Sequence, residues 1–216
     1  MTNLQKRILT SIVIFPLSIL FIIIGGNYLI LFLFSIYSLA NLELFSAFKK
    51  RTTIFFLQST LIFTLFSIYY LRTDTLLSFI FLIWVIVLTA CSDIGGYAFG
   101  KIFKWKKLTK ISPKKTLSGV LGSLIFSLLS VFLLNLILNI VTESDGYTFI
   151  LPDFFILAIL FSIAAQIGDL TISYFKRLEK IKDTGKILPG HGGIFDRIDG
   201  LIFVVILTFL VQKVFL

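Results

Sequence analysis

Apolar residues fall into seven long blocks along this chain: Ile8–Ile24, Tyr28–Ala47, Thr53–Leu71, Thr75–Cys91, Ser118–Val141, Phe149–Ile167 and Gly200–Leu216. Each is near the length a helix needs to cross about 30 Å of hydrocarbon at about 1.5 Å per residue. The pattern therefore predicts an all-α, polytopic integral membrane protein of about seven transmembrane helices. The 25 phenylalanines scatter over all helix faces, as lipid contacts and packing material do. Lys6-Arg7 before the first block could pass for the start of a signal peptide. No small-x-small cleavage site follows Ile24, and six more blocks do, so the block reads as a retained first helix.

The polar stretches between the blocks alternate in character. Eighteen of the 20 Lys and Arg residues lie before the first block or after the second, fourth and sixth. The other connections hold Gly25-Gly26-Asn27, then Arg72 with Asp74, then Glu143, Asp145 and Asp153. Basic residues collect on the cytoplasmic side of a membrane, so the N-terminus is expected inside and the basic loops face the cytoplasm. Composition agrees: 57% of residues are hydrophobic, 14% are charged, and the mean hydropathy is +1.02. The net charge of +9 then reads as a signal of topology and of anionic lipid. No aromatic-rich basic motif accompanies it, and nucleic acid is not an expected partner. Cys91, the single cysteine, excludes an internal disulfide and cannot build a thiolate metal site.

The halves differ. Residues 1–77 carry bland connections and read as a transmembrane scaffold. Residues 78–216 read as a catalytic region, with loaded cytoplasmic loops at 92–117 and 168–199. Within the scaffold Glu43 stands about one turn from the end of the second block, where snorkelling to the interface would account for it; supporting the polar site is the alternative.

Chemistry concentrates in the last polar segment. Asp169 lies where the sixth block ends, and Asp196 and Asp199, one helical turn apart, stand at the entrance to the seventh. Three hard oxygen donors suit Mg2+ shared with substrate phosphates. Capping of the last helix would explain Asp196 and Asp199, but neither Asp169 nor the Arg197 between them. His191-Gly192-Gly193 reads as a turn whose amides could approach an anion, and Lys176-Arg177 follows Asp169 within reach of the same cavity. A second cluster, Ser92-Asp93 to Gly100 and then Ser112-Pro113-Lys114-Lys115-Thr116, puts lysines and hydroxyls just before a helix start, a plausible anion site. Asp93 could be a ligand, a nucleoside contact or an interfacial acid.

These residues together resemble a known family. Ser173-x-x-Lys176-Arg177, Lys182-Asp183 and Pro189-Gly190-His191-Gly192-Gly193-Ile194-Phe195-Asp196-Arg197-Ile198-Asp199 are similar to the signature of the phosphatidate cytidylyltransferases. Residues 92–100, 112–116 and Gly168-Asp169-Leu170 resemble that family's other polar motifs. The likeness is good from Thr89 to the end and general before it, and the chain looks short of one or two spans between the third span and Asp93. The resemblance implies the reaction of CTP with phosphatidate to CDP-diacylglycerol and pyrophosphate, in phospholipid biosynthesis. It implies Asp169, Asp196, Lys176 and Arg177 as catalytic residues. Asp169, Asp196 and Asp199 would hold Mg2+, with a second monovalent or divalent cation left open. Lys114, Lys115, Ser173, His191, Gly192, Gly193, Arg197 and Asp93 would contact substrate. A bacterial inner membrane location and membrane-lipid contact are implied as well, and a homodimer is allowed. A CTP-using lipid kinase would need a base for a hydroxyl. A CDP-alcohol phosphotransferase would show Asp-Gly-x-x-Ala-Arg, whereas Asp199-Gly200 runs into Leu-Ile-Phe-Val-Val. A transporter would place ionisable groups near mid-bilayer and often show an inverted repeat.

Overall fold

The computed structural model describes residues 3–109, 111–142, 152–185, 187–188 and 192–215. They form seven helices in chain order: α1 Asn3–Ile24, α2 Gly26–Ala47, α3 Arg51–Thr73, α4 Leu76–Phe103, α5 Leu117–Thr142, α6 Pro152–Leu178 and α7 Phe195–Phe215. Two isolated β-bridges are the only strand-like pairings among the described residues. Five helices, α2 to α6, are long and apolar enough to cross a membrane; α1 contributes a shorter apolar stretch, Val13–Ile24. The chain is thus a polytopic, all-helical membrane protein.

Large apolar side chains such as Phe34, Phe45, Phe55 and Leu136 point outward, as lipid-facing positions require. Inside, α4, α6 and α7 meet around Trp84, Leu88, Phe161, Val204 and Val205. A second cluster joins α2, α3 and α7 through Leu44, Leu57, Phe195 and Ile202. Apolar contact alone cannot select one helix partner in lipid, so close packing and interhelical hydrogen bonds do so. The Trp84 indole donates to the Ser130 carbonyl at 3.1 Å, the Ser92 and Ser162 hydroxyls stand 3.1 Å apart, and Ser123 donates to the Ser92 carbonyl at 2.9 Å.

Two helices run further than the apolar blocks suggest. α4 continues through residues 92–103, and α6 continues through 168–178. The glycines that read as loop residues in 92–100 are close-approach positions. A Cβ on Gly95 would strike the Gly122 carbonyl, and one on Gly119 would come 2.9 Å from the Gly96 carbonyl. α4 and α5 therefore cross backbone to backbone where the site begins. The helix in α6 puts Asp169, Ser173 and Lys176 at i, i+4 and i+7, on one face.

The bundle's two ends carry different chemistry. At one end Arg72 caps the carboxyl end of α1, donating to the Ile22 and Ile23 carbonyls at 2.5 and 2.8 Å. Asp74 accepts from Tyr70, Ser78 and Gln212, so these two charges serve separate partners. The opposite end gathers the close of α2, α4 and α6, the start of α5 and α7, and the basic connections between them.

Candidate active site

A polar cavity of about 390 Å3 opens at that basic end, walled by α4, α5, α6, α7 and the connection before α5. That connection is a tight turn. Leu108 N donates to the Lys115 carbonyl at 2.8 Å and Leu117 N to the Lys106 carbonyl at 3.0 Å, with Lys107 and Thr116 bridged. Thr116 ends it by accepting from Gly119 N at 3.1 Å, capping α5. Lys114 and Lys115 are thereby presented to the cavity.

Asp93, Asp169, Asp196 and Asp199 line the same cavity with Arg197. Asp169 is central. Lys115 Nζ stands 2.5 Å from its Oδ2, and Ser173 donates to its Oδ1 at 3.2 Å. Asp199 accepts from Gly200 N at 2.9 Å; it feels the charges of Asp169 and Asp93, with Lys176 opposing them. Asp93 in turn faces Asp169, Lys115 and Arg197. Lys115, Lys176 and Arg197 offset part of this like-charge crowding. Gln166 also lines the cavity, and its buried amide nitrogen has no hydrogen-bond partner. A buried orphan donor on a cavity wall fits a ligand or water that accepts from it.

Asp196 has other work. Its Oδ1 takes the buried Lys176 ammonium at 2.7 Å. Its Oδ2 accepts from Thr184 N at 2.8 Å, Gly193 N at 2.9 Å and the Thr184 hydroxyl at 3.2 Å. Both oxygens are committed to protein groups. Lys176 is correspondingly turned into the bundle rather than onto the cavity wall. In the described part of the glycine turn, Gly193 N donates to Asp196, and Gly192 and Gly193 lie close to the Asp196 and Glu43 carboxylates. Gly192 adopts φ +91, and a Cβ there would come 2.9 Å from Asp196 Oδ2. Arg177 is exposed and ties connections together, donating to the Ile181 carbonyl at 2.7 Å and the Ile111 carbonyl at 3.4 Å. His191 lies outside the described residues.

Glu43 corrects an expectation. Snorkelling would leave it at the interface, but it is 2% exposed. It accepts from Ile194 N at 2.7 and 2.9 Å, Phe195 N at 3.3 Å and the Thr184 hydroxyl at 3.5 Å. Sequence reasoning also passed over Thr184 and Gln166. Only the acid in an apolar block hinted at Glu43, and nothing pointed to its partners.

A second cavity, of about 730 Å3, lies among α1, α2, α3, α4 and α7, with apolar walls that include Phe15, Ile19, Leu65, Ile86 and Val205. Asp93 and Arg197 line both cavities. A charged chamber thus adjoins a larger apolar one.

Among the described residues no three Asp, Glu, His or Cys side chains are grouped so that they could hold a metal ion as they stand. The donor chemistry of Asp93, Asp169 and Asp199 nonetheless suits a hard divalent cation whose remaining ligands are water and substrate oxygens.

A helical membrane protein with a carboxylate- and lysine-lined chamber is the class that fold and site define. Comparison with known proteins narrows it: residues 50–215 match the profile of the cytidylyltransferase family, and the chain belongs to that family. The match begins at Lys50, just before α3 and well ahead of the Thr89 from which the likeness was legible. The chain is similar to the phosphatidate cytidylyltransferase of Rickettsia conorii, 39% identical over 135 residues, which are 60% of this chain and 58% of that protein. It is 39% identical over 123 residues to the Helicobacter pylori J99 protein of the same name, covering 56% and 43% of the two chains. With that of Staphylococcus saprophyticus it shares 40% over 138 residues, covering 63% and 49%. The chain spans about half the length of the curated relatives it matches.

Proposed function

We propose that this protein transfers cytidylyl groups from CTP to phosphatidate, forming CDP-diacylglycerol and pyrophosphate. The observation that carries the reading is the meeting of a polar and an apolar cavity at Asp93 and Arg197. It suits a reaction between a water-soluble triphosphate and a lipid phosphate. The triphosphate would occupy the polar chamber against Lys114 and Lys115, and the acyl chains the apolar one, bringing the lipid headgroup to Arg197. The lipid phosphate is already an anionic nucleophile, so no general base is required. Its oxygen forms a bond to the α-phosphorus while the bond from that phosphorus to the oxygen bridging to the β-phosphate breaks, and pyrophosphate leaves with that oxygen. The chain's contribution is alignment and charge neutralisation. Asp169 and Asp199, with Asp93, are the residues that would hold Mg2+, which would supply neutralising charge on the phosphates. Asp196 and Lys176 would organise the floor of the site from within.

Isotope position tests the reaction. With CTP labelled at the α-phosphate, label enters the organic phase in the presence of phosphatidate and Mg2+; with label at the γ-phosphate it stays aqueous as pyrophosphate. γ-Label in lipid would make the protein a kinase, and no transfer to any lipid acceptor would favour a transporter instead.

The bacterial inner membrane, with the basic end toward the cytoplasm, is the proposed setting, supported by the clustering of lysines and arginines at one end of the bundle. Asn27 and Lys182 are both exposed and stand at opposite ends. Single cysteines there, in a Cys91→Ser background, label from opposite sides of sealed vesicles; labelling from the same side would overturn the orientation.

A further inference from the structure

Glu43 belongs to the half of the chain that carries none of the family signature, yet it touches the signature directly. Its carboxylate is removed from water, which costs heavily unless every lone pair is used. It is used, by the amides of Ile194 and Phe195 and by the Thr184 hydroxyl. Those two amides are donors that the first turn of α7 leaves unsatisfied, and a negative charge there also opposes the helix dipole favourably. Room for the carboxylate comes from two glycines. A Cβ on Gly185 would lie 2.7 Å from Glu43 Oε1, and one on Gly193 would lie 2.5 Å from Oε2.

The same turn is gripped from its other side by Asp196, through Thr184 and Gly193. One carboxylate comes from α2 and one from α7 itself, and the Thr184 hydroxyl lies within hydrogen-bond reach of both. The chain then enters the cavity wall, since Arg197 and Asp199 come two and four residues after Phe195. In a helix each residue advances about 1.5 Å and turns about 100°, so any slip of the first turn re-aims both side chains.

We infer that Glu43 is a positioning residue for the proposed transfer, holding the start of α7 so that Arg197 and Asp199 face the reacting phosphates. The inference rests on the transferase reading for its catalytic part. Lys114, Lys115 and Asp169 sit on other elements and keep their places without it. Losing Glu43 therefore affects alignment more than substrate capture, and misplacement by about 1 Å costs on the order of 100-fold in rate.

The test uses the full chain in detergent or vesicles and reads two things. Glu43→Gln keeps the shape but turns one acceptor into a donor facing the Ile194 and Phe195 amides. Hydrogen exchange at those two amides is expected to speed by at least about 10-fold, with exchange in the α4 and α5 crossing unchanged. In the same protein kcat falls by about 10- to 100-fold, and KM for CTP, which meets Lys114 and Lys115, stays within about 3-fold. Gly185→Ala, which crowds the carboxylate from the loop side and leaves α2 untouched, gives the same two signs and carries the test where Glu43→Gln does not fold. Unchanged exchange at 194 and 195 overturns the clamp. Fast exchange with wild-type kcat, or a large rise in KM with kcat intact, overturns the positioning role. An unmodified chain that performs no transfer overturns the transferase reading and the catalytic part with it, while exchange still decides whether Glu43 holds the turn.

Discussion

Replacing Asp169 by Asn is expected to lower cytidylyl transfer by about 100- to 1000-fold, the scale of losing a main electrostatic element of a phosphoryl-type site. Asp169 joins several parts of the chamber. It accepts from Ser173, pairs with Lys115 across the α5 turn, and faces Asp93 and Asp199. Asparagine keeps the size and the hydrogen bond from Ser173 but removes the charge that holds Lys115 and that would help hold a cation. The helix on which it sits is secured elsewhere by Phe161 and Ser162, so the protein stays folded and membrane-inserted. Turnover measured against Mg2+ concentration checks this, with a melting profile as control. Wild-type turnover in Asp169→Asn, in a preparation that needs Mg2+, would remove Asp169 from the mechanism.

The second large effect concerns stability as well as rate. Lys176→Met leaves the Asp196 carboxylate buried without its cation, a kind of loss that costs about 3–5 kcal/mol. The expected result is a clear drop in thermal midpoint together with loss of activity, because the pair stands beneath the chamber at 8% and 5% side-chain exposure. Adding Asp196→Asn removes the stranded charge. The double variant should regain part of the stability and none of the activity. A Lys176→Met protein that melts like the unmodified chain would show that the remaining hydrogen bonds to Asp196 suffice without the lysine.

Much of this protein was legible from local pattern. Hydrophobic runs near 20 residues demand helices in lipid, because no other element with free ends satisfies its own backbone there. The alternation of basic and non-basic connections placed residues 49–51, 101–115 and 176–197 at one end, and among the described residues contacts such as Lys50 N to Glu179 and Arg177 to the Ile111 carbonyl join these connections. Asp169, Asp199, Lys114, Lys115, Arg197 and Asp93 stand out by residue type and motif likeness, and they line one cavity.

Other features were decided by contacts between distant parts of the chain. The glycines of 92–100 look like helix breakers by their own flexibility. Only the presence of α5 makes them helix-packing positions, because the gain from close approach exceeds their conformational cost. An acid one turn from a helix end reads as solvated until a partner 151 residues away supplies amides to it, as Ile194 does for Glu43. Asp196 and Gly193 carry the residue types of a metal ligand and a phosphate turn, yet they satisfy each other first. The order of residues determined the helices, the set of charged connections that share one end, and the stock of carboxylates and bases. Tertiary structure decided which carboxylates remain open to a ligand and which are spent on the fold, because a buried charge takes whatever donors the packing brings within about 3 Å.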